Sequence, residues 1–393
     1  MRSITTTRIV VIGVLTATAI TLAACSAPSE VAPQEASAER SIGPIDLSDV
    51  CPATIVIQDS WYPQAELGGM LALIATDYTV DASNKSVSGP LVASDEYTGV
   101  NLELRAGGPA IGFTPPVSQM YQDTSITLAR MDVDSAIQNS ADLPTISIFA
   151  ALDVSPLSVM WSTDYYPDVK STKDLGEALA ASGGVFRYNQ SSSAYLQYLI
   201  RSGQLPESVV DGSYDGTPGN FVASGGKDSQ QGYATNEPYV YDNIVTDWGK
   251  PLSYELLSDT GWDVASGYAI RTSDLDSMSE CLTELVPIFQ QSTIDYFAEP
   301  APASALLIDL VEQYQTGAIY DHAVIDYANE VMISEGLVGN GSNDAVGDYD
   351  EDRVSKLIDI AVPVYTEMGQ SPGDGLTADE LVTNEFIDPS IGF

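Results

Sequence analysis

The sequence is poor in positive charge, in histidine and in cysteine. Its 393 residues include 15 lysines and arginines against 55 aspartates and glutamates, a formal net charge of −40 at pH 7. A surface of that sign repels phosphate backbones, so we expect no nucleic-acid partner and no binding to anionic lipid through protein charge. With one histidine and three cysteines, the chain lacks the usual ligands of a zinc site, and no metal or other cofactor is expected.

The same scarcity argues against catalysis. Any Ser-His-Asp arrangement must use the single histidine, His322, which we expect on a helix surface, and no Gly-x-Ser-x-Gly turn accompanies it. The run Asp348-x-Asp350-x-Asp352 begins like a calcium loop, but Arg353 stands where such a loop needs glycine. Acidic residues at the start of the following helix are explained by the helix dipole. We therefore expect a protein that is not an enzyme.

A hydrophobic run long enough to span a bilayer is also missing at the N-terminus. The apolar stretch 9–21, flanked by Arg2 and Arg8, is shorter than the roughly 20 residues that a spanning helix needs, which predicts a cleavable signal. It ends in Leu22-Ala23-Ala24-Cys25, which resembles a bacterial lipobox. By that resemblance, residues 1–25 are a signal peptide and Cys25 carries the lipid that anchors the protein to the outer face of the cell membrane. A plain secretory signal with a chance cysteine is the alternative.

Cys51 and Cys281 remain as an even pair once Cys25 carries lipid. In a compartment that permits disulfides, such a pair predicts a bond, and free thiols outside the cell are a liability. The bond would close a loop of 230 residues, worth about 4 to 5 kcal/mol in the chain-entropy model. Two separate buried thiols are the alternative.

The body of the chain alternates strand and helix patterns. Residues 26–45 are small, polar and proline-containing and predict a flexible tether. Residues 81–99, rich in serine, aspartate and glycine, predict an exposed excursion. Strands are predicted at 53–58, 100–105, 126–129, 145–150 and 184–188, and helices at 66–75, 134–140, 191–202, from Asp274 onward, and at 303–314 and 352–368. This alternation predicts an α/β architecture with mostly parallel sheets.

An ordered set of short motifs then becomes informative. The set comprises Trp61-x-Pro63, Gly68-Gly69, Gly107-Gly108, residues 143–148, residues 155–160, Ser171-Thr172-Lys173-Asp174-Leu175, Asn236-Glu237-Pro238 and residues 381–388. In this order the motifs resemble the substrate-binding proteins of ABC importers, in the branch for nitrate, sulfonate or taurine, and thiamine precursors. The resemblance covers residues 51–393.

The resemblance implies a periplasmic-binding-protein type II fold, with two lobes joined by two crossovers. One lobe would comprise 46–154 plus 259–393 and the other 155–258, with hinges near 154–156 and 258–266 and closure around a ligand. The implied partners are a small-molecule ligand, an ABC permease and its ATPase, and the protein is expected to be a monomer. A sensing or adhesion lipoprotein without an import role, or a fold-related enzyme of pyrimidine-precursor synthesis, is the alternative.

Candidate ligand-binding residues follow predicted strands, where α/β sheets bind ligands. Trp61 and Tyr62 follow the first strand, and Trp61 is expected either to stack on a planar ligand or to pack between the lobes. Asn189, Ser191 and Ser192 open a helix, where they cap it and also suit a carboxylate, sulfonate or carbonyl group.

Charged candidates point to two different ligand classes. Glu237, before Pro238, would meet a cationic or amino-bearing ligand, or is a solvated turn residue. Arg105, Arg130 and Arg187 are the cations best placed to meet an anion, or each belongs to a surface ion pair. An amine-bearing heterocycle similar to thiamine precursors is the leading ligand class, and sulfonate, taurine or nitrate is the alternative.

Overall fold

Strands and helices alternate along the computed structural model, which describes residues 40–189 and 194–393. The strands are β1 (Thr54–Gln58), β2 (Thr79–Asp81), β3 (Ser86–Ala93), β4 (Glu96–Arg105), β5 (Leu128–Asp132), β6 (Thr145–Leu152), β7 (Leu157–Ser162), β8 (Phe186–Arg187), β9 (Val210–Asp211), β10 (Ser229–Tyr233), β11 (Leu252–Leu256) and β12 (Ser266–Arg271). The helices are α1 (Gly68–Leu71), α2 (Pro116–Gln122), α3 (Val133–Asn139), α4 (Thr172–Ser182), α5 (Ala194–Arg201), α6 (Gly219–Ala223), α7 (Glu237–Asn243), α8 (Leu257–Thr260), α9 (Leu275–Ala298), α10 (Ala301–Tyr314), α11 (His322–Ser334) and α12 (Glu351–Glu367).

These strands form two sheets. Sheet A has the order β2-β3-β4-β1-β5-β12-β6, and sheet B has the order β11-β7-β10-β8-β9. Strand β1 runs parallel to β4 and β5, and β8 runs parallel to β9 and β10, whereas the other neighbours are antiparallel. The expectation of mostly parallel sheets is therefore wrong. Three features produce the antiparallel pairings: β3 pairs with β2 and β4 in hairpins, β7 lies antiparallel to β10 and β11, and the chain returns from sheet B to place β12 antiparallel to β5 and β6.

The segment 81–99, expected as an exposed excursion, is mostly regular sheet. Strands β3 and β4 form a hairpin whose two turn residues, Ser94 and Asp95, both have positive φ, as the common two-residue hairpin turn requires. Val87 and Leu91 of β3 are fully buried. The serines of β3 occupy the other positions of this alternating strand, whereas Gly89 shares the face of Val87 and Leu91, where an added Cβ would lie 2.9 Å from Ile74. Composition alone therefore gave the wrong prediction.

Helical structure is also shorter than expected at 66–75. A single 3-10 turn, Ala65–Leu67, leads into the one-turn helix α1. There Gly68 lies so close to α9 that an added Cβ would be 2.1 Å from the ring of Tyr296. Among the other elements, the strand expected at 126–129 lies at β5, the one expected at 184–188 shortens to β8, and the helix expected at 191–202 is described from Ala194 onward.

Two apolar clusters hold most of the core. Under sheet A, Phe149, Tyr268 and Phe289 pack with ring centroids 5.8 to 6.5 Å apart. The second cluster joins residues of α4 and α5 beside sheet B to residues of α3 and α12. Helix α12 thus packs against elements that follow strands of both sheets.

Cys51 and Cys281 form a disulfide in the structure, with their Cα atoms 4.8 Å apart. The bond joins the segment before β1 to α9. It therefore fastens the first strand of sheet A to the longest helix beneath it.

We expect Cys51→Ser combined with Cys281→Ser to lower the free energy of unfolding by about 4 to 5 kcal/mol, because the unfolded chain loses its cross-link. Urea unfolding with and without reductant measures this loss. Reductant should shift the midpoint of the native protein to that of the double variant and leave the variant itself unchanged. Equal urea midpoints for the native protein and the double variant, each with and without reductant, would contradict the prediction.

Candidate functional site

Three neighbouring strands of sheet A bring Asp59, Arg130 and Tyr268 together. Gln58 of β1 pairs with Ala129 of β5, so the next residues, Asp59 and Arg130, fall side by side. On the other side of β5, Tyr268 of β12 is the register partner of Arg130. Directly paired residues on neighbouring strands place their side chains on one face of the sheet, so the three side chains form a row.

Arg130 is a buried cation with a loosely held counterion. The residue is 2% exposed, and its Nη1 lies 3.9 Å from Oδ2 of Asp59, too far for a hydrogen bond. Oδ1 of Asp59 instead accepts the backbone N–H groups of Ser60 and Trp61, at 2.7 and 3.2 Å. Burial raises the pKa of Asp59, while the guanidinium of Arg130 opposes that shift.

Several polar atoms around Arg130 are buried without a hydrogen-bond partner among the described residues. Within residues 40–189 and 194–393, no hydrogen bond is made by Nε and Nη1 of Arg130, Oδ2 of Asp59, Oε2 of Glu66 or the hydroxyl of Tyr268. Leaving a buried polar group unpaired costs about 1 to 3 kcal/mol, so native folds normally pair such groups. A cluster of unpaired donors and acceptors in one place can bind a molecule that offers both kinds of group.

The cluster continues across to sheet B. The hydroxyl of Thr235, just after β10, donates to Oε1 of Glu66. Although Tyr233 is 37% exposed, burial of its hydroxyl raises its pKa, and the charges of Asp132 and Glu66 add to that rise. We call the set Asp59, Glu66, Arg130, Asp132, Tyr268, Tyr233, Thr235 and Glu237 the inter-sheet cluster.

Further contacts join the two sides next to this cluster. The hydroxyl of Tyr327 in α11 donates to the carbonyl of Ala234 at 3.2 Å. The ring of the same tyrosine packs on Tyr239 of α7, with centroids 5.3 Å apart. Tyr254 of β11 donates to Oε1 of Glu335 at 3.1 Å. The structure thus shows sheet B and its helices in direct contact with elements that pack on sheet A.

Glu237, predicted as a ligand-binding residue, lies at the sheet B side of the cluster. Its carboxylate accepts the backbone N–H of Tyr233 at 2.7 Å and the hydroxyl of Tyr214 at 3.1 Å. Burial raises its pKa from 4.5 to about 6, although both hydrogen bonds oppose the shift. Glu237 is therefore a bonded, partly buried first residue of α7, and not a solvated turn residue.

The other predicted site residues lie in different surroundings. Trp61 is 38% exposed and covers Gly108, with its ring 5.8 Å from that of Phe113, while its backbone N–H binds Asp59. Tyr62 packs against the core. The backbone N–H of Asn189 donates to Oε1 of Gln231. Ser191 and Ser192 lie outside the described residues, as does Cys25.

The three candidate arginines differ in their ion-pair partners. Arg105 pairs with Glu103 and Asp123 at 2.7 and 2.8 Å, and Arg187 pairs with Asp211 and Asp228. Both follow the ion-pair alternative, whereas Arg130 lies in the inter-sheet cluster.

Sequence reasoning missed Glu66 and Tyr268. A signal was present for Arg130, a charged residue inside the apolar strand segment Leu128–Met131. Tyr268 had no such signal, because its place depends on the pairing of β12 with β5.

Features considered for catalysis or metal binding have structural explanations. His322 is exposed as the first residue of α11, and Oδ1 of Asp350 caps α12 by accepting the N–H groups of Asp352 and Arg353. Among the described residues, no group of three or more acidic, histidine or cysteine side chains is arranged to hold a metal ion. In the same part of the chain, no helix combines the length and apolarity needed to cross a bilayer.

Comparisons with known proteins identify the fold. No family model and no curated protein matches the chain. The structure is similar to the periplasmic nitrate-binding protein NrtA from Synechocystis PCC 6803, with a TM-score of 0.51 and 10% identity over 85% of this chain and 87% of that one. The alkanesulfonate-binding protein SsuA from Xanthomonas axonopodis pv. citri, bound to MOPS, gives a TM-score of 0.49 and 12% identity over 84% of this chain and 99% of that one.

A third similar structure is the ligand-binding component of an ABC-type import system from Staphylococcus aureus with zinc bound. Its TM-score is 0.49, with 11% identity over 85% of this chain and 98% of that one. At these identities, likeness defines the fold alone. The chain has the α/β, two-sheet fold of periplasmic binding proteins, as its sequence predicts.

We expect Glu237→Gln to stabilise the protein more at pH 7.5 than at pH 5. Because the folded pKa of Glu237, about 6, exceeds its ordinary 4.5, its favourable contribution is complete below pH 4.5 and lost as the pH rises through 6. The glutamine variant lacks that loss, so its relative stability should rise by about 1 kcal/mol between the two pH values. Urea unfolding measures the difference, with the exposed Glu207→Gln as control. An equal effect at both pH values would contradict the prediction.

Proposed function

We propose that this protein is an extracytoplasmic solute-binding protein of an ABC importer, which captures a small organic molecule and performs no catalysis. The observation that carries the proposal is the inter-sheet cluster, where, among the described residues, buried donors and acceptors lack hydrogen-bond partners just after the carboxyl end of β1 and beside it on β5 and β12. Ligands of open α/β sheets bind at such strand ends. The fold supports the proposal, because it is the fold of periplasmic binding proteins.

The captured molecule lies, in this proposal, between two lobes that contain sheet A and sheet B. The lobes would be 46–154 plus 259–393 and 155–258. The chain passes between the sheets twice, from β6 to β7 and from β11 to β12. Rotation about those two connections would open the cluster to solvent and close it around a ligand.

The unpaired atoms specify what the ligand must offer. Arg130 and Tyr268 present hydrogen-bond donors, so the ligand needs an acceptor, whereas Asp59 and Glu66 present carboxylate oxygens and need an N–H donor. A heterocycle with a ring nitrogen and an amino group, similar to a thiamine precursor, has both. The cluster contains four carboxyl groups and one guanidinium, which also favours an amine over an anion.

A sulfonate, taurine or nitrate ligand is the second candidate, and the buried guanidinium of Arg130 favours it. Nitrate offers acceptors alone and leaves Asp59 and Glu66 unpaired. Taurine, which carries both a sulfonate and an ammonium group, meets both demands better. The acid excess of the cluster therefore ranks taurine above nitrate.

The remaining parts of the proposal come from the sequence. The signal stretch and Cys25 support a lipid anchor on the outer face of the cell membrane, with residues 26–45 as the tether. A permease and an ATPase would receive the ligand from a monomeric binding protein. A lipoprotein that senses or adheres would share the anchor and the cleft and would lack those two partners.

A thermal-shift screen of the protein tests the proposal. The panel contains aminopyrimidines, primary amines, taurine, alkanesulfonates, nitrate and amino acids. A ligand at 100 times its Kd stabilises the folded state by about 2.7 kcal/mol, a readily measured shift. We expect a shift with an aminopyrimidine, whereas a shift with taurine, nitrate or an alkanesulfonate alone would support the second candidate.

Two variants connect a shift to the inter-sheet cluster. Glu66→Gln and Arg130→Gln should each remove the ligand-induced shift, because each removes a charge that the ligand meets. Arg105→Gln is the matched control: it alters a paired arginine on β4 and should leave the shift intact. No shift with any compound of the panel, or a shift that survives in both cluster variants, would contradict the proposal.

A further inference from the structure

Arg353, in the first turn of α12, binds both of the chain segments that connect the two sheets. The first connection is 153–156, between β6 and β7, and the second is 257–265, between β11 and β12. Nη1 of Arg353 donates to Oδ1 of Asp153 at 2.6 Å, and Nη2 donates to the carbonyl of Asp153 at 2.9 Å. Nε and Nη2 also donate to the two carboxylate oxygens of Asp263, at 2.9 and 2.7 Å.

The two connections touch each other directly beside this arginine. The backbone N–H of Ser155 donates to the carbonyl of Val264 at 2.9 Å. In the second connection, Nε1 of Trp262 also donates to Oδ2 of Asp134 in α3, at 3.3 Å. The segments that would bend when sheet B moves relative to sheet A therefore run side by side, with Arg353 bonded to both.

The hydrogen bonds of Arg353 are charge-assisted and therefore stronger than hydrogen bonds between neutral groups. The pairing with Asp263 is bidentate, and a guanidinium that donates to two carboxylates and a carbonyl in fixed geometry orients all three partners. The side chains of Arg353 and Asp153 are 24% and 22% exposed, so solvent screens their attraction only in part. Helix α12 itself packs on α3 and α5, which anchors the arginine against elements on both sides.

We propose that Arg353 is the positioning residue that fixes the two connections relative to each other and thereby limits the motion between the lobes. The proposal rests on the two-lobed capture proposed above. Loss of the guanidinium would let the connections move independently. The ligand-free protein would then sample a wider range of separations between sheet A and sheet B.

Arg187 offers a matched control for a purely structural loss. Its Nη2 and Nε bind Oδ2 of Asp228 at 2.7 and 3.1 Å, and its Nη1 binds Asp211 at 2.9 Å. Its side chain is 19% exposed, similar to that of Arg353. All of these partners lie between the two connections, on the sheet B side. Arg187→Met should therefore remove a comparable set of ion pairs and leave the contacts of Arg353 with the two connections intact.

The test is double electron–electron resonance between spin labels at Glu177→Cys in α4 and Glu312→Cys in α10, both exposed positions. The full chain is used without ligand, with Cys25→Ser so that the two introduced thiols take the label. We expect Arg353→Met to widen the distance distribution at least twofold relative to the parent. The distance distribution of Arg187→Met should superimpose on that of the parent. Arg353→Lys keeps the charge but cannot make the bidentate contact, so the width of its distribution should lie between those of the parent and Arg353→Met.

An Arg353→Met distribution that superimposes on the parent, or equal widening in Arg187→Met, would overturn the proposal. If Arg353→Met does not fold, Asp263→Asn weakens the same contact from the other side and should widen the distribution in the same direction. Because no ligand is present, the result is independent of the ligand screen. If the distance distribution widens but the screen finds no ligand, the role proposed for Arg353 is supported and the solute-binding proposal is contradicted.

Discussion

Burial of the Arg130 guanidinium is the constraint on which the proposed site depends. A cation in the middle of a sheet is costly unless its N–H groups and its charge are both met. The fold meets the charge, with Asp59 3.9 Å away, but leaves Nε and Nη1 without a hydrogen bond among the described residues. The same incomplete pairing extends to Asp59, Glu66 and Tyr268. A protein that keeps such a cluster beside the carboxyl end of β1 gives up stability at a place where a polar ligand can restore it.

The site and the connections between the sheets share one structural element. Strand β5 carries Arg130, ends at Asp132 and leads directly into α3, where Asp134 accepts a hydrogen bond from Trp262 of the second connection. Burial, with a smaller effect of Asp132, raises the pKa of Asp134. A change at the inter-sheet cluster therefore has a short route to the second connection, along the chain from β5 to α3 and then through the hydrogen bond between Asp134 and Trp262. Arg353 holds that connection to the first one from the other side.

Much of the fold followed from the sequence, because alternating apolar patterns and ordered motifs are local or cumulative signals. The strands around 53–58 and 145–150 and the helices around 303–314 and 352–368 needed no tertiary information. The hairpin at 81–99 was missed because its serines and glycines lower the apolar content of strands whose valine and leucine positions are buried. The antiparallel entry of β12 was missed because it depends on the return of the chain from sheet B.

The site was less accessible to sequence reasoning for the same physical reason. Asp59, Arg130 and Tyr268 are far apart along the chain, and only the register of β1, β5 and β12 makes them neighbours. Glu237 was predicted because a motif marks it, and Arg130 was named as one of three arginines that could meet an anion. Glu66 carries no comparable mark, since one acid among 55 is unremarkable until Thr235 is seen to bind it across the sheets.

The most direct measurement is a high-resolution crystal structure of the native protein equilibrated with the compound that gives the largest thermal shift. If the inter-sheet cluster is the binding site, density for the compound will lie within hydrogen-bond distance of Arg130 and of Asp59 or Glu66. Its acceptor will face the guanidinium and its N–H group will face a carboxylate. Density for the compound elsewhere, with Arg130 and Asp59 closed into a direct hydrogen-bonded pair, would contradict the assignment of this cluster as the ligand site.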